Sequence, residues 1–274
     1  MRRTNLYIFS ITAILAFYSS PLSAQANIEK AWSTLQSGLA DKGDDRAIAV
    51  RLLGLLEHNP KAAEIATAAL DDKDAEVRAS AAHAVAQMQA RSALSKLTKN
   101  VKAEKEPGVV MADARALIAL GDPLGYAVYY AVLTGERKSG TALLDEQKKM
   151  LHDPKKMAQF GFEQGIGYIP FASVGLGAFR AVTKDDSSPV RAAAARILAK
   201  DPDPKSGDAL VEASSDKSWT VRAAALDALS LRGDPSFIEK IESKLDDDKA
   251  PVRYTAAAAL IHLHDVQTRG KAQK

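Results

Sequence analysis

Apolar residues recur at helical spacing along most of the chain, in short blocks separated by polar turns. Two consecutive blocks show the spacing: Val221, Ala224, Ala225, Ala228 and Leu229, then Phe237, Ile238, Ile241 and Leu245. Apolar residues three and four positions apart fall on one face of an α-helix. The pattern therefore predicts pairs of short amphipathic helices, each of which must bury its apolar face against a neighbour.

These helix pairs repeat along the chain. In each of five copies an Asp lies six residues before an Arg, and a Val immediately precedes that Arg. Val190, Val221 and Val252 are each 31 residues apart. The copies carry the pairs Asp45 and Arg51, Asp72 and Arg78, Asp185 and Arg191, Asp216 and Arg222, and Asp247 and Arg253. We expect these residues to hold successive units together, with Asp at the helix N-terminus and Arg reaching across the turn to that Asp or to loop carbonyls.

Glycine, aspartate and proline mark the turn inside each unit. Gly121-Asp122-Pro123 and Gly233-Asp234-Pro235 lie at matching places in two copies. Glycine commonly ends a helix, and proline fits the first turn of the next one. Because two short helices cannot bury a core alone, stacked units are expected. The predicted fold is all-α, a right-handed α-solenoid of about six helical hairpins.

Composition agrees with a helical array and excludes cysteine chemistry. Alanine accounts for 50 of the 274 residues, whereas aromatic residues make up only 6%. Alanine has the highest helix propensity, and β-sheet folds favour β-branched and aromatic residues instead. With no cysteine in the chain, disulfides, thiol nucleophiles and thiolate metal sites are excluded.

The repeated Asp-x5-Arg spacing, with Val before Arg and alanines after it, resembles the HEAT-repeat family. More narrowly, it is similar to the short bacterial HEAT-like repeats also found in phycobilisome-lyase-type proteins. The resemblance covers most of residues 27–120 and 185–264. It implies a solenoid and, from the family's general use, binding of other macromolecules through a concave face.

The first 26 residues have the pattern of a secretory signal peptide. Arg2 and Arg3 precede a 13-residue apolar run from Leu6 to Tyr18, and small residues end at Ala26. Thirteen residues are too few for the roughly 20 that a spanning helix needs. We expect cleavage near Ala26 and export to the periplasm or the exterior, with no transmembrane segment in the mature chain. Cleavage leaves 35 basic and 34 acidic residues, which gives no reason to expect a nucleic-acid partner.

The repeats occupy residues 27–123 and 185–265, and a basic tail follows at 266–274. Residues 124–184 form an insertion between the two sets of repeats. This insertion, expected to be helical, contains eight of the 12 aromatic residues of the mature chain and eight of the 16 glycines. Aromatic side chains are frequent binding anchors. The candidate partner-binding residues are Tyr126, Tyr130, Phe162, Gln164, Tyr168 and Phe171. The alternative is a distorted repeat whose aromatics fill an internal gap.

No catalytic, metal-ligating or cofactor-binding constellation is found. HEAT-like di-iron hydroxylases carry several His-Glu dipeptides, and none of the five histidines here precedes a glutamate. The expected function is an exported, non-catalytic scaffold that mediates protein–protein interaction. A second hypothesis is a small-ligand-binding or lyase-like protein that holds an apolar ligand at the insertion. In a third, the insertion only completes the core, and the concave surface carries the function.

Overall fold

The structure is a computed structural model, and it describes residues 21–134 and 188–272. Within these two ranges, the regular structure consists entirely of helices. The first range contains seven α-helices: α1 (Pro21–Ala40), α2 (Gly43–Leu52), α3 (Pro60–Ala69), α4 (Ala75–Gln87), α5 (Leu94–Ala103), α6 (Pro107–Ala119) and α7 (Leu124–Thr134). Two short 3₁₀ turns, Leu53–Leu55 and Arg91–Ala93, extend α2 and precede α5.

The second range contains five α-helices. They are α8 (Ser188–Leu198), α9 (Pro204–Ala213), α10 (Trp219–Arg232), α11 (Ile238–Ile241) and α12 (Ala250–Ala272). The sequence predicted one helical block from Phe237 to Leu245. In the structure, 3₁₀ turns at Pro235–Phe237 and Glu242–Asp246 flank a single α-helical turn in this block.

Local sequence explains where these helices begin and end. The side chains of Asn59, Asp74 and Asp203 each accept a hydrogen bond from a backbone N–H in the first turn of the helix that follows. Such caps satisfy donors that have no partner inside the helix. Gly121 and Gly233 adopt positive φ values of 81° and 65°, which glycine tolerates without steric cost. The predicted Gly-Asp-Pro turns are confirmed.

The helices stack as pairs, with one first helix and one second helix in each unit. The first helices contact one another directly in the order α8, α10, α12, α2, α4 and α6. Second helices pack mainly against first helices: α3 lies against α4, α5 against α6, and α9 against α10. The first helices are rich in fully buried alanines, including Ala81, Ala84, Ala225, Ala228, Ala257 and Ala258. The predicted α-solenoid is therefore confirmed.

The two ends of the chain meet inside this stack. Helix α1 packs along α12 and against α2. Lys30 Nζ lies 2.7 Å from each carboxylate oxygen of Asp246. A Cβ atom on Gly38 would lie 2.8 Å from the ring of Tyr254 and 2.9 Å from the Cβ of Ala49. Glycine at position 38 therefore lets α1 lie closely between α12 and α2.

The order of units in space consequently differs from their order in the chain. Helix α1 serves as the second helix of the unit that α12 begins. The described residues form six units, in the spatial order α8/α9, α10/α11, α12/α1, α2/α3, α4/α5 and α6/α7. One continuous core runs through the junction of the termini, since buried residues of both halves belong to the same apolar cluster. The chain between Thr134 and Ser188 connects the two outer units of this array.

Candidate functional site

A ladder of ion pairs links successive units. In each rung, the arginine at the fourth residue of a first helix binds an acidic residue that precedes the next first helix in the stack. The rungs are Arg46–Asp72 at 2.8 Å, Arg78–Glu104 at 2.7 Å, Arg191–Asp216 at 3.0 Å and Arg222–Asp247 at 2.7 Å. The ladder residues predicted from the sequence therefore pair across units rather than within them.

Within a unit, the arginine binds the backbone of the repeated aspartate. Arg78 donates a 2.8 Å hydrogen bond to the carbonyl oxygen of Asp72, and Arg253 donates one of 2.8 Å to that of Asp247. The loop carbonyls expected from the sequence are thus contacted. The carboxylate of the aspartate instead faces the preceding unit, so each arginine fixes its own turn and the next unit at once.

The copy assigned to Asp45 and Arg51 requires a correction in register. The fourth residue of α2 is Arg46, and it forms the rung with Asp72. Arg51 is the ninth residue of the helix. The sequence motif did not identify Arg46 because Asp45 precedes it, where the other copies have Val. Val50-Arg51 has the two residue types of the motif but not their position in the helix. Asp185 lies outside the described residues.

Ionisable side chains also align at the ninth residue of the first helices. In spatial order this ninth-position row contains Arg196, Asp227, Ala258, Arg51, His83 and Arg115. In the sequence, each residue of this row lies five positions after the fourth residue of its helix. The sequence analysis did not recognise this spacing. The row is a line of ionisable side chains interrupted by one alanine.

Asp227 is the acidic residue of this row, and its pKa is strongly shifted. The residue is 2% exposed. Its Oδ2 atom lies 3.8 Å from a guanidinium nitrogen of Arg196, and its Oδ1 atom has no hydrogen-bond partner among the described residues. Burial raises the pKa of Asp227 to about 6, and Arg196 and Arg51 oppose this rise. The charged form is therefore disfavoured in the folded protein.

Asp227→Asn is expected to stabilise the protein at neutral pH. The folded pKa lies above the unfolded value, so stability is fully present below about pH 4 and is lost as pH rises through 6. Two pKa units correspond to about 3 kcal/mol, so a gain of roughly 1–3 kcal/mol is expected at pH 7. Urea unfolding at pH 4 and pH 7 measures the difference. Asp208→Asn, at an exposed carboxylate on α9, is the control, and equal effects of the two substitutions would contradict the assignment.

The pKa of His83 is shifted in the opposite direction from that of Asp227. Burial, together with the guanidinium groups of Arg51 and Arg115, lowers the pKa of His83 to about 3. The imidazole is therefore neutral at physiological pH, and it adds no charge to the row between two arginines.

Exposed apolar side chains form a stripe along α7, which we call the α7 stripe. Tyr126, Tyr130 and Leu133 are 65%, 61% and 86% exposed. Their spacing of four and three residues places them on one side of the helix. Tyr126 and Tyr130, two of the candidate partner-binding residues, thus lie on the same side of α7 together with Leu133, which the sequence analysis did not identify. Phe162, Gln164, Tyr168 and Phe171 lie outside the described residues.

Leu133, at the end of the α7 stripe, matches a position that is buried in other second helices. Leu133 is ten residues after Pro123, and the residues ten after Pro60, Pro204 and Pro235 are Leu70, Ser214 and Leu245. These are 1%, 1% and 3% exposed, compared with 86% for Leu133. In other units this side of the second helix packs on the next first helix. The α7 stripe is therefore a packing surface that the described residues leave uncovered.

A cleft of about 400 Å³ lies elsewhere, between α1, α2 and α3. Its floor is apolar, and the Arg46–Asp72 rung lies at its wall. The lining residues are Leu39, Arg46, Val50, Ile65, Ala68, Ala69, Asp71 and Asp72. Asp71 and Asp72 are already paired with Lys96 and Arg46 at 2.8 Å each. The polar groups of this cleft are thus engaged in structure.

The described residues hold no group of three or more His, Asp or Glu side chains arranged to bind a metal ion. Within the same two ranges, no helix combines the length and apolar character needed to cross a membrane.

Comparison with known families agrees with this architecture. The family model described as HEAT repeats matches residues 33–123 and 178–261. The chain belongs to the HEAT-repeat family. The first matched stretch of HEAT repeats ends before α7 begins, and the second begins at residue 178, within the predicted insertion at 124–184.

Individual proteins resemble this HEAT-repeat chain only distantly. No curated protein matches it. Among solved structures, human deoxyhypusine hydroxylase in complex with glycerol is 19% identical, with a TM-score of 0.33, and the match covers 90% of this chain and 100% of that one.

Proposed function

We propose that this protein is an exported, non-catalytic HEAT-repeat scaffold that binds a protein partner through the α7 stripe. The observation that carries the proposal is the exposure of Leu133 at a position that is buried in other second helices, beside the exposed side chains of Tyr126 and Tyr130. Exposed apolar groups at an otherwise buried position favour an interaction site over a solvated surface.

The chemistry of the α7 stripe suits a protein partner. Two tyrosines and a leucine offer large apolar contact area, and tyrosine adds a hydroxyl at the rim. In the array the corresponding side of a second helix receives a helix, so a helical segment of the partner fits this surface.

Export is supported by the way α1 packs. Ala31 and Leu35 are fully buried, whereas Gln25 and Ala26 are exposed. Cleavage near Ala26 would therefore leave the packing face of α1 in place.

Site-specific photocrosslinking tests the proposed surface. A photoreactive phenylalanine analogue replaces Tyr126 in the full chain, expressed with its own leader in a bacterial host. We expect one discrete protein adduct in the exported fraction. The same analogue at Ala127, an exposed neighbour outside the stripe, is the matched control and is expected to give no adduct.

A second substitution separates binding from folding. Adding Leu133→Asp is expected to reduce the adduct at least tenfold without lowering the melting temperature, because Leu133 is 86% exposed. Adducts of equal yield at positions 126 and 127, or an adduct that survives Leu133→Asp, would reject the α7 stripe. A small molecule crosslinked in place of a protein would favour ligand binding. N-terminal sequencing of the same material, with Asn27 expected first, tests export independently.

A further inference from the structure

The ladder of ion pairs has a gap where the two ends of the chain meet. In each rung the acidic residue lies three positions before its first helix begins, as Asp72 and Glu104 do before α4 and α6. The residue three positions before α2 is Ala40. The place that would link α12 to α2 therefore has an arginine, Arg253, but no carboxylate at the equivalent position. We call it the open rung.

The guanidinium of Arg253 is held in the same way as those of the rung arginines. Its Nη1 atom donates to the carbonyl oxygens of Asp247 and Asp248 at 2.8 and 3.3 Å. The Nη1 atom of Arg222 donates to two carbonyl oxygens of its own turn at 3.1 and 3.4 Å, and that of Arg78 does so at 2.8 and 3.2 Å. The backbone thus fixes each guanidinium through the same nitrogen, which leaves Nε and Nη2 for another acceptor.

In three rungs, Nε and Nη2 hold one carboxylate between them. With the distances from Nε and Nη2, these pairs are Arg78 with Glu104 at 2.7 and 3.1 Å, Arg191 with Asp216 at 3.1 and 3.0 Å, and Arg222 with Asp247 at 2.8 and 2.7 Å. This geometry matches the planar fork of a guanidinium to the two oxygens of a carboxylate. Arg253 is the exception, because its Nε and Nη2 atoms have no hydrogen-bond partner among the described residues. Arg253 is half-buried, and both nitrogens remain accessible to solvent.

Asp41 takes over only part of the missing role. The acid of a rung also accepts a hydrogen bond from the backbone N–H two residues later, as Asp247 does from Lys249 at 2.9 Å. In the turn before α2, the backbone N–H of Lys42 donates instead to Asp41 at 2.9 Å. Asp41 therefore caps the turn from one position later in the chain, and it forms no ion pair with Arg253.

The charges around the open rung affect which anion fits it. Burial and the charges of Asp41 and Asp44 raise the pKa of Asp45, and the charge of Arg253 opposes this rise. Acidic surroundings do not prevent carboxylate binding, because Arg222 holds two carboxylates at 2.7 Å in a similar turn. Repulsion by the three aspartates increases with the charge of the ligand. A planar, singly charged carboxylate therefore suits Arg253 better than a doubly charged phosphate.

We propose that Arg253 is a binding site for a carboxylate supplied by another molecule, which completes the open rung between α12 and α2. An acidic side chain of a partner protein is the occupant that the ladder itself exemplifies, since its rungs accept both aspartate and glutamate. The guanidinium is already oriented by the carbonyl oxygens of its own turn, so binding such a side chain costs little further ordering of Arg253.

NMR of the arginine side chains tests this site in the full-length chain. Sodium acetate is the probe, added at constant ionic strength, and the Nε–Hε signal of Arg253 is assigned from its absence in Arg253→Lys. We expect the proton to shift downfield and to saturate, because a new acceptor binds this N–H. The signal of Arg222, whose carboxylate is already in place, is expected to stay constant. Sodium phosphate is expected to bind about tenfold more weakly than acetate.

Two substitutions of Ala40 form a matched pair. Ala40→Asp places a carboxylate at the equivalent rung position, where the tether gives it a high effective concentration, so acetate should bind about tenfold more weakly. Ala40→Asn has nearly the same size without the charge, and it should leave acetate binding unchanged. Because Ala40 is exposed, both variants are expected to fold, which their melting temperatures check.

Several results would overturn the proposal. One is an Arg253 signal that responds to acetate no more than that of Arg222 does. Another is an Arg253 signal that already matches that of Arg222 without acetate, since a carboxylate of this chain would then fill the rung. Equal effects of Ala40→Asp and Ala40→Asn, or tighter binding of phosphate than of acetate, would also contradict it. The crosslink at position 126 reports on α7 and does not depend on Arg253, so the two proposals fail separately.

Discussion

Replacing Leu35 with alanine is expected to lower the free energy of unfolding by about 2–5 kcal/mol. Leu35 is fully buried on α1, and α1 is the second helix of the unit that α12 begins. The damage should therefore appear in the last helix of the chain as well as in the first. Urea unfolding measures the loss, and hydrogen exchange over residues 250–265 measures its location.

Gln36→Ala is the matched control because Gln36 is the exposed neighbour of Leu35 on the same helix. It is expected to change the free energy of unfolding by less than about 0.5 kcal/mol. If Leu35→Ala increased exchange only within α1 and α2 and left α12 protected, the pairing of the terminal helices would be refuted.

Arg222→Ala is expected to cost about 3–5 kcal/mol, the usual result of removing one partner of a buried ion pair. The side chains of Arg222 and Asp247 are only 12% and 9% exposed. Arg222 holds Asp247 through hydrogen bonds of 2.8 and 2.7 Å and reaches the carbonyl oxygen of Asp216 at 3.1 Å. The substitution leaves the Asp247 carboxylate enclosed without its counter-charge.

The pH dependence of this effect follows from Asp247. Burial raises the pKa of Asp247, but the hydrogen bond and the charge of Arg222, together with the backbone N–H of Lys249, outweigh burial, so the pKa is lowered from its ordinary 3.8. The stability from the pair is present above the unfolded pKa and is lost as pH falls through the folded one. The cost of Arg222→Ala should therefore shrink in acid, which urea unfolding at pH 7 and pH 3 measures.

Lys249→Ala removes a cation from the same turn and serves as the control. The side chains of Lys249 and Asp248 are 53% and 67% exposed and form an ion pair of 3.2 Å. Exposed pairs of this kind contribute about 0–1 kcal/mol to stability. A loss as large as that of Arg222→Ala would show that the turn itself, rather than the guanidinium of Arg222, is the source of stability.

The periodicity of single helices predicted the fold correctly because each unit repeats a local pattern. The Gly-Asp-Pro turns at Gly121 and Gly233 and the helical hairpins follow from backbone preferences that act over a few residues. Pairing between units depends on which side chains meet after stacking. Arg78 was therefore expected to bind either the Asp72 carboxylate or loop carbonyls; it binds the carbonyl oxygen of Asp72, and the carboxylate binds Arg46 of the preceding unit.

The meeting of the chain ends could not be predicted from periodicity. An amphipathic pattern on α1 shows that the helix needs a partner but not that the partner is α12. The α7 stripe illustrates the same limit, because Leu133 and Leu70 occupy equivalent positions and differ only in what lies beside them. Sequence identifies a surface made for packing, and the three-dimensional arrangement determines whether it is covered.

The partnership of α1 and α12 also affects how the protein is made. Lys30 and Asp246, which meet across it, are 216 residues apart in the chain. At about 5–20 residues per second, the second side chain is synthesised about 10–40 s after the first. During that interval α1 has no α12 to bury Ala31 and Leu35. The third unit of the array therefore forms only after synthesis is nearly complete, and the first helix to be made is among the last to reach its final place.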